Sequence, residues 1–279
     1  MAVRTSKKGM TQMQVIDSPK NDRIKTIRKL QQKKYREQTG SFLLEGWHSL
    51  KEALHAPTAT VTVILAVAEH WPTIQAELAL RPTDSAIEQF TISQRVAEAL
   101  RSTTTTDGYF AVVKMPLENS AETTATALPW LALDHVQDPG NAGTMVRTAD
   151  AAGFAGVVFG EGSIDPWNSK TVRAMQGSEF HLPVMTTTDL GQWLATKQAA
   201  GYQLLGTLVD EQATDVRRCQ LASERYCLVM GNEAHGLRPE LAAQMDDNLY
   251  LPIFGQAESL NVAIAAAVLM YQFQLQVKD

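Results

Sequence analysis

Cysteine is nearly absent from this chain: 279 residues hold only Cys219 and Cys227. Two thiols at that spacing exclude a disulfide-built fold and a zinc site, so a reduced, cytoplasmic setting is expected. Long hydrophobic runs are also missing. No stretch nears the roughly 18 uninterrupted apolar residues of a membrane span, so no membrane partner is expected. The basic N-terminus has no apolar core behind it, which argues against a secretory signal. Internal repeats are absent. What remains is globular composition, with 44% apolar and 20% charged residues, which excludes wholesale disorder. Single cores rarely grow past roughly 250 residues, so one large domain or two ordinary ones are expected.

The net charge of −5 is unevenly spread. Residues 1–36 hold eleven Lys/Arg against Asp17 and Asp22, a balance of +9, and the remainder carries −14. A basic arm on an acidic body points to a polyanion held at one end. The helical pattern from about Asn21 to Gln38 places Arg23, Lys25, Arg28, Lys29, Lys33, Lys34 and Arg36 between its apolar positions. These are the candidate nucleic-acid-binding residues; a merely solvated face is the plainer reading of the same charges. Asp22 or Asn21 can cap this helix and Gly40 can end it.

Alternating strand and helix patterns predict an α/β fold in two parts. Residues 1–20 read as a basic, disordered leader, 21–113 as a small α/β domain, and 114–128 as a polar Thr/Ala-rich linker. Residues 129–279 read as a second α/β domain. Its strand candidates are Trp130–Asp134, Gly156–Phe159, Leu182–Val184, Tyr202–Leu208, Tyr226–Met230 and Leu249–Ile253. Apolar strands with helical crossovers predict a mostly parallel sheet, which binds ligands at the carboxyl ends of its strands.

Three Gly/Asn-rich turns fall at such ends. The first is DPGNAGTMVRTADAAG, residues 138–153. Asn141 can cap a helix whose apolar face is Ala142, Met145, Val146, Ala149 and Ala152, and Arg147 departs from that stripe. The second is LVMGNEAHGL, where a hydrophobic strand ends at Gly231 and Glu233 follows. The third is LPIFGQAESLNVAIAAA, where Ser259 can cap the last helix and Asn261 sits in its first turn. Each turn alone reads as an ordinary strand-to-helix connection.

Together, and in this order, the three segments resemble the motifs of the SpoU (TrmH) branch of the SPOUT RNA methyltransferases. Residues 160–178 also resemble the family's intermediate loop, with Asp165, Lys170 and Arg173 in matching places. The resemblance covers about 130–276. A weaker one relates residues 21–113 to the family's L30e-like substrate-binding domain. It implies a C-terminal parallel sheet with a deep trefoil knot, a homodimer, S-adenosylmethionine as cofactor and no metal. The implied reaction is methyl transfer to a ribose 2′-hydroxyl in structured RNA, with ribosomal RNA favoured over tRNA.

By the family's pattern Arg147, Asn141, Glu233, Ser259 and Asn261 are the catalytic set. Thr207, Gly206, Gly231, Leu251, Ile253 and Leu260 are the cofactor-binding set. A guanidinium, with a pKa above about 12, accepts a proton poorly. The expected role of Arg147 is therefore to place the ribose-phosphate with its fork geometry. Two other readings stand beside this one. A dinucleotide-binding enzyme would need a Gly-x-Gly-x-x-Gly turn, and residues 160–165 fail at the last position, Asp165. A catalytically inactive RNA-binding protein on the same fold would not need the retained polar set.

Overall fold

The computed structural model describes residues 13–81, 86–102, 104–116, 128–210 and 213–278. The first sheet comprises β1 (Gln14–Ile16), β2 (Ser41–Glu45), β3 (Val61–Ala66), β4 (Glu88–Ile92) and β5 (Tyr109–Lys114), in the order β1-β4-β3-β5-β2. Strands β1, β4 and β3 run parallel, and β5 runs antiparallel to both β3 and β2. Helices α1 (Asp22–Lys29), α2 (Lys33–Thr39), α3 (Trp47–His55), α4 (Trp71–Leu78) and α5 (Gln94–Leu100) cover it.

Several expectations need correction here. The single helix over residues 21–38 is two helices. The Asn21 side chain accepts from the Arg23 N–H and caps α1, which ends at Leu30; Gly40 closes α2 in the left-handed region. The break lets Ile24, Ile27 and Leu30 all bury. The leader holds a strand, β1, which pairs with β4 through Ile16 and Ile92. The two strands are only three and five residues long, so neither stands out by periodicity. Lys114 ends β5, and the expected linker falls mainly on residues outside those described, as do 1–12.

The second sheet is parallel throughout. Its strands are β6 (Trp130–Leu133), β7 (Gly156–Phe159), β8 (Val184–Thr186), β9 (Gln203–Thr207), β10 (Thr214–Asp215), β11 (Tyr226–Met230) and β12 (Asp247–Tyr250). The order is β10-β12-β9-β11-β6-β7-β8. The expected strands 182–184 and 249–253 are therefore each displaced by about two residues, because flanking apolar residues pack outside the ladder. The accompanying helices are α6 (Pro139–Ala151), α7 (Ser169–Met175), α8 (Leu190–Ala199), α9 (Pro239–Ala242) and α10 (Val262–Lys278).

Helices α6 and α7 approach closely because Gly143 carries no side chain. A Cβ there would stand 2.4 Å from the Ala174 Cβ. The Phe42 ring of the first sheet packs tilted against Trp167 of the second unit, centroids 4.9 Å apart, so one apolar core crosses between them.

Polar ties reinforce that junction. Arg36 is buried; it donates to the Leu30 carbonyl at 2.8 Å and pairs with Asp165. Such a buried pair is costly to break from one side, by about 3–5 kcal/mol. His181 lies between two carboxylates, Asp150 of α6 at 2.8 Å and Glu52 of α3 at 3.2 Å. The hydrogen bond to Asp150, seconded by Glu52, raises the His181 pKa. Next to it, burial pushes the Glu179 carboxyl up to about 7.

Both groups bind more protons folded than unfolded, so both favour the folded state at low pH. The His181 contribution is full below about 6.5, its unfolded value, and fades as pH rises through the raised one. The Glu179 contribution fades as pH climbs from its unfolded value through about 7. Thermal melts at pH 5.5 and 8.5 should show the transition falling with pH. Glu179→Gln should remove part of that fall by raising the Tm at pH 8.5. A variant that melts like the parent at both pH values would contradict the assignment.

Candidate active site

The three motif turns meet at the carboxyl ends of β6, β11 and β12. Strand β6 runs through Asp134 to Asp138, whose side chain accepts the Asn141 N–H at 2.7 Å and caps α6, with Pro139 in its first turn. Asp138, not Asn141, is thus the cap. That frees the Asn141 amide, which donates to Glu233 Oε1 at 3.1 Å. The Asn261 amide donates in turn to Asn141 Oδ1 at 3.0 Å. One residue from each motif therefore joins a continuous chain, Asn261–Asn141–Glu233. Glu233 also accepts the Asp138 N–H at 3.3 Å, near the positive end of α6.

The last helix is capped differently from expectation as well. Asn261 Oδ1 accepts the Ala263 N–H at 2.9 Å and the Ile264 N–H at 3.3 Å, while Ser259 lies in the exposed segment before it. Asn261 thus fixes the start of α10 with its oxygen and the first motif with its nitrogen.

The second turn is built for tight passage. Asn232 and Gly236 exchange backbone hydrogen bonds, and Asn232 Nδ2 donates to the His135 carbonyl at 2.8 Å. Gly231 sits against the returning strand, where a Cβ would lie 2.2 Å from the Leu237 nitrogen. The turn's exit is clamped by Arg238, which donates to buried Asp134 at 2.7 Å and pairs with Glu161 at 2.5 Å. Sequence reasoning missed Asp138, Asn232, Arg238 and Asp134. The Asp-Pro-Gly order was the one available cue, since Pro in a first helical turn commonly follows an Asp cap.

Beside the polar chain lies an open cleft, lined by Thr207, Gly231, Leu251, Ile253, Ser259 and Leu260 among others. Five of the six expected cofactor residues thus share one cleft. Gly206 does not line it. Along β9 successive residues face opposite ways, so Thr207 meets the cleft and Gly206 faces Asn248 and Met245. Thr207 Oγ1 is held by the Val229 carbonyl at 3.0 Å. Arg147 lies outside the cleft lining, exposed on α6 two turns beyond Asn141, with no hydrogen bond or ion pair among the described residues. The cysteines take no part: both are buried, and burial pushes Cys219 up to about 11 and Cys227 higher still. No cluster of metal-ligating side chains occurs among the described residues.

Of the expected RNA contacts, Arg28 and Lys34 are exposed. Arg23 pairs with Glu88 at 2.6 Å and lies over Phe90, Lys25 pairs with Asp22 at 2.8 Å, and Lys33 with Glu37 at 3.7 Å. Lys29 sits over the Tyr35 ring at 5.3 Å. Exposed pairs of this kind are worth little and can be exchanged for phosphate. Arg36 is the exception. It faces inward to Asp165 and is withdrawn from the RNA-binding set.

Replacing Gly231 with alanine should collapse this arrangement, because the intruding atom meets backbone. Overpacking of this kind costs about 1–3 kcal/mol. Calorimetry should show loss of S-adenosylmethionine binding; parental affinity would contradict the tight-passage reading.

Comparison with known proteins agrees with this geometry. The SpoU rRNA Methylase family matches residues 129–271, and the MRM3-like substrate binding domain matches residues 21–111. The chain is 39% identical, over 94% of its length and 100% of the relative's, to the 23S rRNA (guanosine(2553)-2′-O)-methyltransferase RlmP of Bacillus subtilis. It is 34% identical, over 51% of its length and 57% of the relative's, to the 23S rRNA (guanosine-2′-O-)-methyltransferase RlmB of Acinetobacter baylyi. The AdoMet-bound rRNA methyltransferase of Sinorhizobium meliloti superposes with a TM-score of 0.83 at 28% identity, over 95% of this chain and 98% of that one. The AdoMet complex of the SpoU methyltransferase AviRb from Streptomyces viridochromogenes gives 0.79 at 26% identity, over 92% and 98%. The family match over residues 129–271 and a relative 39% identical over 94% of the chain place this protein in the SpoU rRNA methylase family.

Proposed function

We propose that this protein is a cytoplasmic, homodimeric methyltransferase that methylates a ribose 2′-hydroxyl of ribosomal RNA, using S-adenosylmethionine. The observation that carries the reading is the Asn261–Asn141–Glu233 chain at the edge of the cleft. The cleft suits the cofactor in its lining: Leu251, Ile253 and Leu260 offer apolar walls beside the bare backbone of Gly231. Bound there, S-adenosylmethionine supplies a methyl group on a sulfonium sulfur, whose leaving group is a neutral thioether.

The protein's task is then to place a weakly acidic alcohol and ease the loss of its proton. Asn141 and Asn261 fix the polar edge, and Glu233 sets the orientation of the Asn141 amide. Ser259, on the cleft wall, is placed to meet the nucleotide. Arg147, free of protein partners among the described residues, offers its fork to the ribose-phosphate. A phosphate of the bound RNA can then take part in accepting the proton. On this reading residues 21–113 grip the RNA, residues 129–279 carry out transfer, and the trefoil knot and the 1–20 and 114–128 segments belong to the same proposal.

The dimer is supported by α10. Ile264, Val268, Tyr271 and Leu275 are all 43–64% exposed and follow one another at helical spacing, an apolar stripe opposite the buried Ala263, Ala266, Leu269 and Phe273. The cytoplasmic setting is supported by the two unpaired cysteines, and no helix among the described residues is long and apolar enough to cross a membrane.

Arg147→Lys tests the proposal. It keeps the charge and loses the fork, so methyl transfer to unmodified ribosomal RNA should fall at least about tenfold while S-adenosylmethionine binding persists. Near-parental turnover would refute the role given to Arg147.

A further inference from the structure

We propose that Phe254, flanked by Arg217 and Arg218, is a stacking platform for an unpaired base of the RNA at the mouth of the cleft. Ile253 lines the cleft, whereas the next residue, Phe254, is 87% exposed, more than any other large apolar side chain among the described residues. A single exposed apolar side chain is ordinary on a protein surface, and it is the arginines beside this ring that set it apart.

The ring is not alone. Strand β10 pairs in register with β12, Asp215 opposite Tyr250, and so brings the turn at residues 216–218 beside the segment that follows β12. The Arg217 guanidinium lies 5.8 Å from the Phe254 ring centroid. It is held there by Asp215, which accepts from Nε at 3.0 and 3.1 Å and from Nη2 at 2.5 Å. These bonds hold the Asp215 carboxyl at about 2, below the usual carboxylate range. Arg218 is exposed next to it. The site therefore offers a π-face, a planar cation oriented by Asp215 and a second exposed cation, on a body that is otherwise acidic.

That combination is the chemistry of single-strand recognition: stacking tolerates any base, and the cations take phosphate. A second copy of this chain is the rival occupant. Phe254 is followed by exposed Gly255, Gln256 and Glu258, which favours a wet, polar contact over a protein seam. Phe254 is thus a positioning residue for the nucleotide, acting next to the reacting groups rather than on them. The inference rests on the methyltransferase reading for its meaning, but it is readable without turnover.

The test uses the full chain and unmodified ribosomal RNA transcribed in vitro. Phe254→Ala should weaken RNA retention on filters and raise the KM for RNA by about tenfold. The kcat, S-adenosylmethionine affinity by calorimetry and sedimentation behaviour should stay at parental values. Phe254→Trp should restore RNA affinity, and Phe254→Leu, apolar but ringless, should not. Arg217→Ala with Arg218→Ala should lower the salt slope of binding by about 1–2. RNA affinity of Phe254→Ala within about twofold of the parent would overturn the proposal. So would Leu performing as well as Trp, a lost cofactor affinity, or a change in oligomeric state. Absence of methyl transfer by the parent would instead defeat the catalytic reading and leave the filter result to decide this one.

Discussion

A single amide holds the site together. Asn141 accepts from Asn261 and donates to Glu233, and in doing so it links the start of α6, the start of α10 and the turn after β11. Glu233 and Asn261 lie 92 and 120 residues from Asn141 in sequence. A parallel sheet delivers them to one end, because every strand leaves its carboxyl end on the same side. The hydrogen bonds then fix what the sheet only brings near. Each bond is partly exposed and worth little to global stability. Its value is positional: neither neighbouring turn can move without disturbing Asn141.

The second constraint lies between the two units. Arg36 ties the first helix pair to the loop at Asp165, and His181 ties α3 to α6, the helix that carries Asn141 and Arg147. The Phe42–Trp167 ring contact lies in the apolar core between these ties. On the proposed reading, RNA gripped by the exposed basic residues Arg28 and Lys34 would be held at a set distance from the polar edge of the cleft. Among the basic residues of the first helices, burial divides those that can meet phosphate from the one that builds the junction.

Much of this was legible in the residues. The strands of the second sheet announce themselves as apolar runs ending in Gly or Asn, and the three motifs name most of the site. Of the expected cofactor set, Gly206 alone does not line the cleft, because strand alternation sends adjacent residues to opposite faces. Caps were misplaced by three residues at α6 and by two at α10, where Asp138 and Asn261 outcompete Asn141 and Ser259 for the free N–H groups. What the sequence hid was tertiary. Arg36 reads as one more surface cation until Asp165, 129 residues away, is placed beside it. Strands β1 and β4 are too short and polar to show a period alone, and they are defined by pairing with each other.

A double-mutant cycle on Asn141→Ala and Asn261→Ala tests the convergence of the motifs most directly, with kcat/KM for methyl transfer to ribosomal RNA as the readout. Residues acting through one contact give strongly non-additive effects. The double variant should be little worse than the poorer single one. Losses that simply multiply would show two independent residues and contradict a site built around Asn141.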